Sequence, residues 1–330
     1  MADAVMAGVQ GAEIGNQKLG RLARMRMADR TFHGITFAAA VAVLLLLGGV
    51  IFSLVWGSVP AFSTFGLGFL TTQRWNPVTE IFGALAPIYG TVVTSIIALL
   101  IAVPVGIGIA IFLTELCPPW LKRPIGVCIE LLAGIPSIIY GIWGLFVFAP
   151  FFQATVQPFL IWVFGPIPIL SDIFAGPPYG IGVLTAGIIL AIMVLPFITS
   201  ITRDVFDTVP PVLKEATYGL GCTTGEVVTK VVLPYSRVGV IGGIMLGLGR
   251  ALGETMAVTF VIGNTHKISA SILAPGTTIS ASIANEFTEA TGELYTSSLI
   301  ALGLILFVIT FFVLAGARLL LARMNVKAGN

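Results

Sequence analysis

Charged residues are scarce in this sequence. Lys, Arg, Asp and Glu make up 10% of its 330 residues, against roughly 25% in an average soluble domain. Hydrophobic residues make up 57%. So few charges cannot cover the surface of a soluble globular domain, and the composition indicates an integral membrane protein. The short alternating strands of a transmembrane barrel are missing as well, so the spans should be helical.

Motifs of catalysis are also missing. The sequence has no H-E-x-x-H, no nucleophile-elbow serine motif and no pair of intramembrane aspartates, which argues against an intramembrane enzyme such as a protease. It has no G-x-x-x-x-G-K-[ST] phosphate loop, so it cannot bind ATP in that way. Cys117, Cys128 and Cys222 lack metal-ligand spacing, and we predict neither a metal site nor a disulfide.

Long apolar stretches, by contrast, are plentiful. Six of them are long enough, at about 20 residues, to cross a hydrocarbon core of about 30 Å as helices. They lie near residues 34–57, 84–113, 125–150, 179–202, 238–263 and 296–318. We therefore predict an all-α membrane protein with a six-helix transmembrane domain at 34–318. A basic tail precedes this domain at 1–33, and a short tail follows it at 319–330.

Basic residues fall mainly on one side of these spans. If the amino terminus lies inside the cell, 14 of the 17 Lys and Arg residues are cytoplasmic. They are Lys18, Arg21, Arg24, Arg26, Arg30, Lys122, Arg123, Arg203, Lys214, Lys230, Arg237, Arg318, Arg323 and Lys327. Arg74 and Lys267 lie in outer loops, and Arg250 lies within a span. The positive-inside rule therefore predicts that both termini are cytoplasmic, in a bacterial inner membrane.

Two short helices are predicted in the large cytoplasmic loop at 203–237. Pro210-Pro211 ends the fourth span and can open a new helix, and Gly221 provides a stop. The spacing from Thr223 to Glu226 is that of a capping box, which predicts a second helix. We expect Leu233-Pro234 to end it. Such a compact projection is either a docking element or a folded connector.

Small and charged residues share one face of the fifth apolar stretch if it is a helix with about 100° per residue. They are Gly239, Gly243, Gly247, Arg250, Glu254 and Ala257. Arg250 would lie about 18 Å deep, near the bilayer middle, where a charge costs on the order of 3 kcal/mol. Two interpretations remain open. Arg250 and Glu254 form a buried ion pair that fixes helix packing, or Arg250 attracts an anion beside a path while Glu254 holds the guanidinium.

The cytoplasmic loop also carries a family signature. It contains Glu215-Ala216-Thr217, Gly221 after three further residues, Val231 after nine more, and Leu233-Pro234 after one more. Every spacing matches the E-A-A-x3-G-x9-I-x-L-P signature of ABC-importer permeases, with Thr for the second Ala and Val for Ile. The chain therefore resembles this family. The resemblance implies a type I permease bundle whose loop is a coupling helix that inserts into a separate ATPase subunit.

Two further segments narrow the resemblance. LGLGRALGETMAV in the fifth span and LLAGIPSIIYGIWGL at 131–145 resemble the C-type permease subunits of high-affinity phosphate importers. In that family the Arg and Glu of this span are associated with phosphate translocation, and they match Arg250 and Glu254. The resemblance covers most of the chain from about residue 30 onward. A permease for another oxyanion, such as sulfate, molybdate or phosphonate, is the alternative.

The resemblance also implies partners. They are a second homologous permease, two ATPase subunits that use ATP, and an outer phosphate-binding protein that docks on loops 58–83, 151–178 and 264–295. The chain itself would bind no cofactor and no nucleic acid, and it would perform no covalent chemistry. The third loop either contains a short helix, which lies against the membrane or against a docked partner, or it is a solvated connector. A secondary transporter would often show more embedded acids and an inverted repeat, and neither is evident.

Overall fold

The structure, a computed structural model, describes the backbone of residues 2–168 and 170–328. Side chains are described for residue 25 and for residues 29–168, 170–319 and 321–323. Five basic side chains that the topology prediction used therefore lie outside the described residues. They are those of Lys18, Arg21, Arg24, Arg26 and Lys327.

Helices form most of the described chain, which confirms the all-α prediction. In chain order they are α1 Ala2–Phe65, α2 Gly68–Thr71, α3 Leu85–Ile111, α4 Pro119–Ala133, α5 Ser137–Trp143, α6 Ala149–Phe151, α7 Gln157–Phe164, α8 Leu170–Ile173, α9 Val183–Asp207, α10 Pro211–Gly219, α11 Thr224–Val227, α12 Leu233–Gly253, α13 Met256–Val261, α14 Ile279–Glu286 and α15 Glu293–Ala328. Wider π-type turns occur at Phe112–Leu116, Gly144–Phe148, Phe152–Val156 and Val228–Val232. An isolated antiparallel bridge joins Asn76 and Ile81.

Two compact units divide the chain, residues 1–56 and residues 57–330. The first consists of the greater part of α1, and its apolar side chains between residues 32 and 56 are mostly exposed. The second contains the end of α1 and every later helix. Exposed apolar surface of this extent suits lipid or another protein chain rather than water.

Six helical stretches of the described chain are long and apolar enough to cross a membrane, as predicted. They are Asp29–Phe65, Leu85–Leu116, Ser137–Phe164, Val183–Asp207, Thr224–Gly253 and Glu293–Arg323. The predicted bounds of the third and fifth spans, 125–150 and 238–263, are wrong. Pro136 is extended, with ψ 137°, so α4 is a separate helix and the third span begins at Ser137. Glu254 is extended too, with ψ 129°, and ends the fifth span.

The fourth span, α9, is the most deeply buried of the six. Glycines let its neighbours approach closely, as small residues do in membrane helix packing. Gly106 of α3 faces Ile198, and Gly187 of α9 itself faces Ile97. Gly247 of α12 faces Val194 and Ile198. The glycine face predicted for the fifth span is therefore a helix–helix contact.

The segment from Ile262 to Glu286 folds back onto the spans. Val183 N donates to Ala274 O at 3.2 Å, and Leu184 N donates to Ile272 O at 2.8 Å. Ile279 N donates to Thr91 Oγ1 at 2.9 Å. The first half of α14 is buried. The predicted third loop therefore contains a short helix, and the buried half of this helix packs on α3, α13 and α15 of the same chain instead of forming a solvated connector.

Gly90 holds this folded segment against α3, and we expect Gly90→Ala to lower the thermal stability of the purified protein. A Cβ at this position would overlap the carbonyl oxygen of Thr277, and backbone cannot move aside as a side chain can. Overpacking of this kind costs roughly 1–3 kcal/mol. Gly108→Ala in the same helix is the matched control, because a Cβ there meets nothing within 4 Å. Equal unfolding temperatures of the two variants would contradict the packing described here.

Candidate functional site

The loop at 203–237, predicted to be cytoplasmic, forms the two predicted helices, α10 and α11. Gly221 has φ +83°, a left-handed conformation that few residues other than glycine adopt without strain. The capping box is present: Glu226 N donates to Thr223 Oγ1 at 3.4 Å and Thr223 N donates to Glu226 Oε2 at 3.0 Å. The predicted helix end at Leu233-Pro234 is wrong. Pro234 lies in the first turn of α12, and the π-type turn Val228–Val232 accommodates its missing N–H, so helix continues from Thr224 to Gly253.

The signature residues of this loop lie mostly at its surface. Glu215, Ala216, Gly221 and Pro234 are exposed, whereas Thr217, Val231 and Leu233 are half-buried. Thr217 Oγ1 donates to Leu213 O at 2.7 Å within α10. Apolar side chains flank them: Val212 is 71% exposed and Leu220 is 85% exposed. An exposed helix with apolar residues on its surface is suited to docking rather than to connection.

Three ion pairs that no local sequence pattern predicts join helix ends on the side predicted to be cytoplasmic. Lys214 contacts Glu115 at 2.6 Å, Lys122 contacts Asp207 at 3.4 Å, and Arg203 contacts Glu130 at 2.9 Å. The partners are between 73 and 99 residues apart. Nothing in the local sequence pattern indicates such pairings.

Arg250 lies at the surface of the chain, one turn before the end of α12 and beside the middle of α9. Its guanidinium carbon is 4.2 Å from the centre of the Phe197 ring, a cation–π contact. One turn earlier, Gly247 contacts Val194, the twelfth of the 25 residues of α9. Among the described residues, Arg250 forms no ion pair within 4.0 Å. Arg250 is exposed on this chain, so its planar donors are accessible to a ligand or to another chain.

Glu254 does not share the helix face of Arg250, contrary to the prediction. Helix α12 ends at Gly253, so the spacing of 100° per residue does not extend to Glu254 or Ala257. Instead, Glu254 Oε1 accepts a hydrogen bond from Ala257 N at 3.2 Å and so caps the short helix α13. The fifth span is thus interrupted beside Arg250. Freed backbone groups at such depth are tolerated where protein or a water-filled cavity surrounds them.

A polar cluster joins the outer segments around Glu286. Its carboxylate accepts hydrogen bonds from Trp75 Nε1 and from Tyr295 OH, the latter at 2.8 Å. His266 Nε2 lies 3.4 Å from Glu286 Oε1, and its ring stacks on Trp75 with centroids 5.1 Å apart. Burial lowers the pKa of His266 to about 4 and raises the pKa of Glu286. No local sequence pattern indicates this cluster.

The shifted pKa of His266 makes stability sensitive to acid. The unfolded chain binds a proton at His266 near pH 6.5, whereas the folded chain does so near pH 4. Stability should therefore fall as the pH drops through this window, by up to about 1.4 kcal/mol per pH unit. In His266→Gln we expect a smaller difference in unfolding temperature between pH 7 and pH 4.5 than in the wild type. Glu286 titrates in both proteins, so an unchanged difference would exclude His266 as the cause.

Solved structures define the class of protein that has this fold. The MetNI methionine ABC transporter in an inward-facing conformation matches with a TM-score of 0.54 at 15% identity, over 76% of this chain and 99% of that chain. A bacterial alginate ABC transporter in complex with its pentasaccharide-bound periplasmic protein matches with a TM-score of 0.55 at 17% identity, over 86% and 94%. The fold is that of an ABC-transporter membrane subunit.

The particular family follows from sequence. The family of binding-protein-dependent transport system inner membrane components matches residues 102–326, and the chain belongs to it. The phosphate transport system permease protein PstC of Mesorhizobium japonicum is 71% identical over 93% of this chain and 94% of its own length. The PstC protein of Pasteurella multocida is 59% identical, over 90% of this chain and 93% of its own length. A probable PstC of Methanocaldococcus jannaschii is 41% identical, over 84% and 89%.

Proposed function

We propose that this chain is the permease subunit of an ATP-driven importer of inorganic phosphate. The observation that carries the proposal is 71% identity over nearly the whole chain to a phosphate transport permease. The site supports it physically: Arg250 offers an exposed planar cation beside the middle of α9, and guanidinium donors match phosphate oxygens. Glu254, at the interruption of the fifth span, completes this proposed part of the pathway.

The proposed assembly contains further subunits. A second homologous permease forms the other half of the pathway, and two ATPase subunits bind and hydrolyse ATP. Helix α10, with Glu215, Ala216 and Thr217, enters an ATPase subunit, while Gly221 and Leu233-Pro234 shape the loop. The assembly lies in a bacterial inner membrane. An outer phosphate-binding protein delivers the substrate to it. Both termini lie in the cytoplasm, because the basic residues concentrate on that side.

Uptake of radiolabelled phosphate at micromolar concentration tests this function. Cells that lack the subunit are compared with cells in which it is restored, with and without an excess of unlabelled sulfate or molybdate. We expect restored uptake that neither anion reduces and that depends on ATP rather than on the proton gradient. Strong inhibition by sulfate or molybdate would instead favour a permease for another oxyanion. No restoration at all would overturn the phosphate assignment.

A further inference from the structure

A part-buried ion pair connects the exposed helix α10 to the cytoplasmic end of the membrane-spanning helix α3. Lys214 Nζ lies 2.6 Å from Glu115 Oε1, and the two side chains are 18% and 6% exposed. Every other Lys or Arg ion pair among the described residues has at least one partner that is more than 40% exposed. Exposed ion pairs contribute little to the free energy of folding. A charge that is removed from water and then loses its partner destabilises the fold strongly.

The position of the pair gives it a mechanical role. Glu115 belongs to the π-type turn Phe112–Leu116, which continues α3 at its cytoplasmic end. Within the part of the chain whose side chains are described, the pair is the one side-chain hydrogen bond that α10 makes to another helix. The chain itself joins α10 to α9 before it and to α11 after it, and α10 also packs against the π-type turn Val228–Val232 that leads into α12.

Helix α3 can pass a displacement onward, because it packs tightly along α9. Gly187 accommodates Ile97, and Gly106 accommodates Ile198. Contacts of this closeness resist sliding and move helices as rigid bodies. A movement of α10 therefore reaches the centre of the transmembrane domain through Lys214 and Glu115, in addition to the covalent route through α9.

We propose that Lys214 and Glu115 are positioning residues that transmit the movement of α10 to α3. This inference rests on the proposed function, since it requires an ATPase subunit that moves α10. Neither residue touches the substrate. Loss of the pair should therefore leave ATP hydrolysis in place and reduce the amount of phosphate moved for each ATP hydrolysed.

The test uses the complete transporter, with its partner permease, ATPase subunits and phosphate-binding protein, in proteoliposomes. Phosphate uptake and ATP hydrolysis are measured together for Glu115→Gln, Lys214→Met and the exchanged variant Glu115→Lys/Lys214→Glu. We expect each single variant to lower the ratio of phosphate moved to ATP hydrolysed by about fivefold or more. The exchanged variant keeps both charges and should recover most of the ratio.

Lys230→Met is the matched control, because its pair with Glu226 lies in the same loop but is 64% and 43% exposed. It should keep the wild-type ratio. Assembled single variants with the wild-type ratio, or an assembled exchanged variant as poor as the single ones, would overturn the inference. If a single variant does not assemble, the ratio of phosphate moved to ATP hydrolysed by the exchanged variant still tests the inference. Failure of the wild-type complex to take up phosphate would count against the proposed function instead.

Discussion

Arg250→Gln is expected to abolish phosphate uptake while leaving the transporter assembled. Gln is polar but shorter and uncharged, and its amide cannot replace a charged, forked donor. Charge-assisted hydrogen bonds contribute up to about 3 kcal/mol, which corresponds to a loss of about 100-fold in uptake. The guanidinium is exposed on this chain and packs on Phe197, so its removal leaves no buried partner charge unpaired. A loss of function would therefore report on the substrate.

Two comparisons make this result specific. Arg237→Gln removes an exposed cation from the same helix, α12, and should leave uptake near the wild-type level. Glu254→Gln should also retain most uptake, because an amide oxygen can still accept the hydrogen bond from Ala257 N. Normal uptake by an assembled Arg250→Gln transporter would reduce Arg250 to a packing residue. A loss in Glu254→Gln as large as in Arg250→Gln would show that the charge of Glu254 acts beyond capping.

Local rules explain which features the sequence predicts correctly. The capping box of α11 and the left-handed Gly221 depend on residues a few positions apart, and hydrophobic length alone gives six spans. The helical repeat also places Gly239, Gly243 and Gly247 on one face of α12, and that face packs on α9. These features need no knowledge of distant segments.

The wrong predictions share another physical cause. Composition does not locate an interruption inside an apolar stretch, so neither the extended Pro136 nor the extended Glu254 limited the predicted spans. The continuous helix through Pro234 shows the reverse case, in which a π-type turn tolerates a residue that usually ends a helix. Pairs such as Trp75 with Glu286, which are 211 residues apart, follow from the tertiary fold and from no local pattern.

The double substitution Val212→Asp/Leu220→Asp is expected to release the ATPase subunits and to abolish ATP-driven uptake. Both side chains belong to the exposed surface of α10 and the turn after it, at 71% and 85% exposure. Placing a carboxylate on an apolar contact that becomes buried costs several kcal/mol, and central contact residues commonly contribute about 2 kcal/mol or more each. Affinity for the ATPase should therefore fall by more than about 100-fold.

Copurification of the ATPase subunits with a tagged permease measures this loss directly. Val78→Asp is the matched control, because Val78 is 91% exposed in the segment between α2 and α3, on the opposite side of the predicted topology. It should leave copurification of the ATPase subunits intact. Retained ATPase subunits together with normal uptake in the double variant would mean that α10 is a folded connector. The ATPase would then have to contact another cytoplasmic surface, such as the ends of α4 and α9, where Lys122 pairs with Asp207.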